Sequence, residues 1–334
     1  MRKRSFWIIS FFIIIFAFGS CKNDSGKYQG LPQELVELSR QIDRNPKNDR
    51  LYYDRASYYY KRSKIEEAMA DILTAIKLDP EKSIYYILLS DIYFAQRETD
   101  LTEETLQKVI AMDPDNNEAR LKLGELYFHL KMKDESMQVL DEAVQRQPHN
   151  PKAHLMRAFL MKELQDTTGY LRMLQLTIDQ DPKEVKAFLE LGYFYQQTLN
   201  PLAIQYYSNA LQADPNNVEI NYNLGKLFQD LGDIERATEQ YQILLQISPR
   251  NKLALNNLGY IKLVHEDQYN EAVQYFNQAI DEDPVFINAI ANRGIAYTYL
   301  GEYELAQQDF QHALSIDPNF EPAISGLNHL DKMR

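Results

Sequence analysis

The chain has 334 residues, 45% of them apolar and 25% charged, the make-up of a folded protein. Its formal net charge of −12 argues against nucleic acid as a partner, because an acidic surface repels phosphate, and no basic stripe interrupts it. With Cys21 as its one cysteine, it can make no internal disulfide.

The N-terminus reads as a targeting segment. Arg2-Lys3-Arg4 precedes an apolar run from Phe6 to Phe18 broken only by Ser10, and Gly19-Ser20-Cys21 follows. A basic region, an apolar run and small residues in that order make a signal peptide. The run falls short of the roughly 18 to 20 residues that a membrane-spanning helix needs. A cysteine directly after Gly-Ser resembles the bacterial lipoprotein signal, although Phe18 stands where that family usually has an aliphatic residue. The resemblance implies cleavage after residue 20 and acylation of Cys21; an uncleaved anchor and an ordinary secretory signal are the alternatives. Residues 21–30 then form a polar tether. Its start, Cys21-Lys22-Asn23-Asp24, looks like the short charged tether of some Bacteroidetes lipoproteins exported to the outer leaflet. Loss of residues 1–20 leaves 33 Lys and Arg against 48 Asp and Glu, a net charge of −15.

From residue 31 onward a proline ladder dominates: Pro46, Pro80, Pro114, Pro148, Pro182, Pro215, Pro249, Pro284 and Pro318 keep a 34-residue period with one deletion and one insertion. Eight residues before each proline from Pro80 onward lie Ile72, Leu106, Leu140, Leu174, Tyr207, Tyr241, Phe276 and Phe310. Further back comes a small residue: Ala56, Ser90, Gly124, Ala158, Gly192, Gly225, Gly259 and Gly294. Within one unit, Leu224, Leu227, Phe228 and Leu231 follow helical spacing, and Ala237, Tyr241, Leu244 and Leu245 repeat it after Gly232-Asp233. Each unit is therefore two short amphipathic helices, and proline ends the second because it lacks an N–H.

This pattern resembles the tetratricopeptide repeat (TPR), closest in Tyr222 to Pro249, Asn257 to Pro284 and Gly294 to Pro318. The resemblance implies an all-α, right-handed α-solenoid of about eight TPR helix-turn-helix repeats over 49–320, with half-repeat caps. Residues 31–48 supply only a second helix, through Leu35, Leu38 and Ile42; residues 321–334 supply only a first, through Ile324, Leu327 and Leu330. A solenoid needs such caps because an inner repeat cannot bury its apolar face alone. Repeat four departs from the pattern at Met161 and Tyr170, so the segment Leu164 to Tyr170 is expected to be the loosest joint. In repeat seven, Lys262 takes an aromatic position and an extra residue falls within 264–268.

Catalytic patterns do not emerge. Six histidines form no i, i+4 pair and none sits at zinc spacing, and there is no G-x-S-x-G, phosphate-binding loop or dinucleotide fingerprint. No enzyme, metal or cofactor is expected.

The first helices line the concave face in the family resembled, and they carry the candidate site. Tyr193, Tyr222, Tyr260 and Tyr299 fall off the core ladder on these helices, as does Tyr53. Phe94, Phe128 and Phe159 stand there with Ile84, Ile87, Leu121, Leu155 and Leu189, making the face apolar through repeats two to five: either helix packing or an exposed groove. Asn223, Asn257 and Asn292 directly precede the Leu-Gly or Arg-Gly pairs of repeats six to eight. In superhelical TPR proteins an asparagine here can hydrogen-bond a peptide main chain; it is also a common consensus residue, which leaves a structural role open. For peptide binding these amides should point to solvent in the free protein. The family's carboxylate clamp of Lys, Asn and Arg is not matched, since Tyr53, Ser57, Ile87 and Asp91 occupy those faces. The expectation is a non-catalytic scaffold, lipid-anchored at the outer membrane of a bacterial envelope with the face left open, with a partner peptide or helix in the groove. A glycan-binding surface lipoprotein and a structural subunit of a secretion or motility machine are the alternatives.

Overall fold

The computed structural model describes residues 28–333; the expected signal peptide, Cys21 and most of the expected tether lie outside them. Among the described residues there are 18 helices and no strands. Two compact units divide the chain, one ending at Ala119 and one starting at Arg120. The first contains α1 (Gln33–Arg44), the pair α2 (Asp49–Tyr60) and α3 (Ile65–Leu78), and the pair α4 (Ser83–Ala95) and α5 (Thr99–Met112). The boundary falls in the first turn of α6 (Asn117–His129), and the second unit continues through α7 (Lys133–Arg146), α8 (Pro151–Glu163) and α9 (Thr167–Gln180), and α10 (Val185–Gln196) and α11 (Leu202–Ala213). It continues with α12 (Val218–Asp230) and α13 (Ile234–Ile247), α14 (Lys252–Val264) and α15 (Tyr269–Glu282), α16 (Ile287–Tyr299) and α17 (Tyr303–Ile316), and the lone α18 (Glu321–Met333).

Local chemistry sets the helix ends. Asn48, Asn150, Asn217 and Asn251 accept backbone N–H groups at the starts of α2, α8, α12 and α14, replacing bonds that a first turn lacks. Before the prolines, Asp79, Asp113, Asp181, Asp283 and Asp317 each accept the N–H two residues on, which closes the turn between repeats. Within a repeat the turn is a Schellman motif: in repeat two, Glu98 N–H reaches Tyr93 O at 3.0 Å and Arg97 N–H reaches Phe94 O at 3.0 Å. Its left-handed residue is Arg97 there, and Ser63, Lys131, Gln165, Leu199, Gly232 or Gly301 elsewhere; the longer turn of repeat seven closes instead through Gln268 N–H on Lys262 O at 2.9 Å, with Asp267 left-handed.

At the joint from Leu164 to Tyr170, expected to be the loosest, the structure shows the same closing bonds as in other repeats. Asp166 N–H bonds Met161 O at 3.0 Å, Gln165 N–H bonds Lys162 O at 3.1 Å, and Asp166 caps α9 through Gly169 N–H at 2.9 Å. Tyr170, in place of a small residue, is buried and donates its hydroxyl to Glu190 on α10 at 2.6 Å. The turn closes on backbone bonds that ignore side-chain type, and the larger ring finds a polar partner in the next repeat. In repeat seven, Lys262 binds Glu266 at 2.7 Å and Gln268 at 2.8 Å, bracketing the longer turn.

The core repeats with the ladder. Ile72, Leu106, Leu140, Leu174, Tyr207, Tyr241, Phe276 and Phe310 are all buried, and Leu140, Tyr207, Tyr241, Phe276 and Phe310 lie against the glycine of their own first helix. A Cβ built on Gly225 would stand 2.8 Å from Tyr241 Cε1, and one on Gly259 2.7 Å from Phe276 Cε1. Aromatic rings thus occur where glycine lets the helices close, and Ile or Leu mostly where Ala56, Ser90 or Ala158 already fills that space.

Candidate functional site

An asparagine two residues before the glycine of a first helix is turned roughly 200° away from it, so it leaves the face that meets its own second helix. Asn223, Asn257 and Asn292 occupy that position on α12, α14 and α16, and all three are half-buried. The Asn223 side chain makes no hydrogen bond among the described residues. The other two correct the expectation of amides pointing freely to solvent. Asn257 Nδ2 donates to Tyr241 Oη at 2.8 Å, and Asn292 Nδ2 donates to Asn256 Oδ1 at 3.3 Å. Each amide has a second N–H that these bonds do not use.

Three further side chains, none of them legible as site residues, join this row. Tyr241 Oη donates to Gln229 Oε1 at 2.9 Å, and Asn256 Nδ2 donates to Asn257 Oδ1 at 3.2 Å. A pattern in the sequence does point to the first contact. Where the ring eight before the proline is Tyr, the first helix carries Gln four residues after its glycine; Tyr207 likewise donates to Gln196 Oε1 at 2.6 Å. Where the ring is Phe276 or Phe310, Leu263 or Thr298 stands there instead. A buried phenol needs a partner, and a buried phenyl does not. Burial pushes the phenols of Tyr207 and Tyr241 well above their ordinary pKa, so both keep the proton they donate.

The candidate aromatics separate into open and covered groups. Tyr299 is 63% exposed and stacks on Tyr269 with ring centroids 4.8 Å apart; Tyr193 is 52% exposed. Tyr222 and Tyr260 are half-buried, Tyr222 leaning on the Tyr241 ring at 6.4 Å and Tyr260 meeting His265 edge-on at 6.3 Å. Phe94, 40% exposed, belongs to the first unit. Phe128 and Phe159 in the second are half-buried, with His129 against the former at 5.8 Å and the Lys186 ammonium over the latter at 4.6 Å. Ile87 is buried and Leu121, Leu155 and Leu189 are half-buried, so packing accounts for most of this apolar face. The structure therefore brings Asn257, Asn292, Tyr222 and Tyr241 into one neighbourhood and leaves the phenylalanines outside it. Among the described residues no group of three or more potential metal ligands occurs, and no helix is long and apolar enough to cross a membrane.

Comparison with known proteins agrees with this architecture. Profiles described as tetratricopeptide repeat match residues 49–82, 93–160, 222–285 and 287–320, and one described as TPR repeat matches residues 200–232. A peroxisomal targeting signal receptor of Candida albicans is 26% identical over 137 residues, 40% of this chain and 23% of the receptor. That of Kluyveromyces lactis is 29% identical over 120 residues, 36% and 20% of the two chains. The chain thus spans no more than about a quarter of the length of these curated relatives. Among solved structures, the C-terminal part of a TPR repeat-containing protein from Cytophaga hutchinsonii superposes with a TM-score of 0.60 at 16% identity, covering 72% of this chain and 99% of that one. PilW, a type IV pilus biogenesis factor, superposes with a TM-score of 0.50 at 19% identity over 63% of this chain and 98% of its own. With helix pairs, proline ladder and profile matches in agreement, the chain belongs to the tetratricopeptide-repeat family.

Proposed function

We propose that this TPR scaffold is a non-catalytic adaptor, anchored to a bacterial envelope by lipid on Cys21, and that the first-helix face of repeats six to eight holds an extended segment of a partner protein. The observation that carries the second part is the row Asn223, Asn257 and Asn292, half-buried amides on successive first helices with N–H groups to spare. An extended segment brings unpaired N–H and C=O groups that need such partners. Tyr222, leaning on the Tyr241 ring, brings an apolar ring with a polar tip beside the row, and Tyr193, Tyr260 and Tyr299 stand on neighbouring first helices. Two curated relatives are named as receptors for a peroxisomal targeting signal, which agrees with binding a segment of another protein. The likeness to PilW concerns the fold and leaves the envelope partner open.

Two measurements test the proposal. In cells given a fatty-acid probe, the wild-type protein should take up label and sediment with membranes; Cys21→Ser should lose the label and appear in the soluble fraction. Equal sedimentation of both would show that the apolar segment itself is the anchor. For the groove, a capped (Gly-Ser)4 peptide serves as a probe with main chain and almost no side chains. Titrated into protein labelled with nitrogen-15 at asparagine, it should move the side-chain amide signals of Asn223, Asn257 and Asn292. Asn223→Ala, which breaks no internal bond, should weaken that binding by about 1 kcal/mol while leaving the melting temperature in place. Unmoved amide signals at saturating peptide would sink the groove assignment.

A further inference from the structure

The bonds around the amide row run in one direction through three repeats. Asn292 donates to Asn256, Asn256 to Asn257, Asn257 to Tyr241, and Tyr241 to Gln229. We propose that this is a positioning relay, in which Tyr241 and Asn256 hold Asn257 and Asn292 in one orientation toward the groove; the inference rests on reading the row as the main-chain site.

Tyr241 is the fixed point. Its ring is fully buried and lies against Gly225, where even a Cβ would come within 2.8 Å, so it cannot swing. Its hydroxyl has two partners, accepting from Asn257 and donating to Gln229, which sets the rotor. Asn257 must then turn its nitrogen toward Tyr241 and its oxygen toward Asn256. Asn256, 9% exposed, must turn its own nitrogen to Asn257 and its oxygen to Asn292. Reversing the central amide, Asn257, would set donor against donor at one end and leave two acceptors facing at the other. The relay is therefore locked as a unit, and each bond in it polarises the next.

The variation between repeats shows why Asn256 is needed. The ring equivalent to Tyr241 for Asn292 is Phe276, which has no hydroxyl to offer. Asn292 reaches back to Asn256 instead, borrowing its orientation from the preceding repeat. Amides ordered in the free protein lose less freedom when a segment binds, which is the gain expected from preorganisation.

Tyr241→Phe tests the relay with little risk to folding, because phenylalanine fills the same position at 276 and 310. The readout is side-chain amide exchange and nitrogen-15 relaxation of labelled asparagines. In the variant, exchange of the Asn257 amide should rise about ten-fold, the loss of roughly one hydrogen bond. The Asn292 signal, two bonds away, should also shift and gain mobility, and Asn223 should stay unchanged. Asn256→Ala should release Asn292 while leaving the Asn257 to Tyr241 bond in place. A change confined to Asn257 in Tyr241→Phe, or none at all, would overturn the relay. Binding of the (Gly-Ser)4 peptide by the wild-type protein decides separately whether the face is a main-chain site. Where it binds, Tyr241→Phe should weaken it several-fold, and unchanged affinity with mobile amides would overturn the positioning role.

Discussion

Replacing Asp309 by Ala is expected to cost about 3–5 kcal/mol, because it leaves the mostly buried Arg293 guanidinium without its counter-charge. Asp309 is only 6% exposed and takes both guanidinium branches, Nε at 2.8 Å and Nη2 at 2.7 Å, while Arg293 Nη1 donates to Asn277 Oδ1 at 2.7 Å. The same device occurs seven repeats earlier: Arg55 holds Asp71 through Nε at 2.6 Å and Nη2 at 2.8 Å, with Nη1 on Ser39. In repeat three the corresponding pair is Leu123 and Val139. An Arg293→Leu, Asp309→Val double replacement should therefore recover most of the loss, since a buried ion pair is often no better than an apolar pair of similar size. In a chain of stacked repeats the damage of the single change should stay local. Hydrogen exchange should speed up first in α16, α17 and α18, and urea unfolding should show their early loss. A single replacement costing less than about 1 kcal/mol, or a double worse than the single, would show that the pair adds little.

Gly192→Ala should also destabilise, although alanine is the better helix former by about 1 kcal/mol. The new Cβ would sit 2.5 Å from both Cδ1 and Cε1 of Tyr207. That ring is fully buried and its hydroxyl is tied to Gln196 at 2.6 Å, so it cannot withdraw. Overpacking of this kind costs about 1–3 kcal/mol, and a clash this close belongs at the upper end, leaving a net loss of about 2 kcal/mol. The partner change is written in the chain itself, where repeat four pairs Ala158 with Leu174. Gly192→Ala with Tyr207→Leu should then regain most of the stability in urea denaturation. Stability unchanged by the single substitution would mean that the two helices can part at no cost.

The period of the proline ladder and the alternation of small and bulky residues were enough to determine the helix pairs. Each of these signals acts within a few residues or along one helical face, so the linear sequence contains it whole. What α8 and α9 do at their joint was not legible, because Schellman bonds are made by the backbone and Tyr170 depends on Glu190 in the next repeat. The state of the asparagines was hidden for the same reason. Asn223, Asn257 and Asn292 look identical in sequence, yet Asn257 meets the hydroxyl of Tyr241, Asn292 has Phe276 at the equivalent position and turns to Asn256, and the Asn223 side chain finds no partner among the described residues. Helical periodicity says which face a residue occupies. Whether a polar group on that face is paired depends on atoms one repeat away, and only the packed tertiary structure brings those atoms within hydrogen-bond reach.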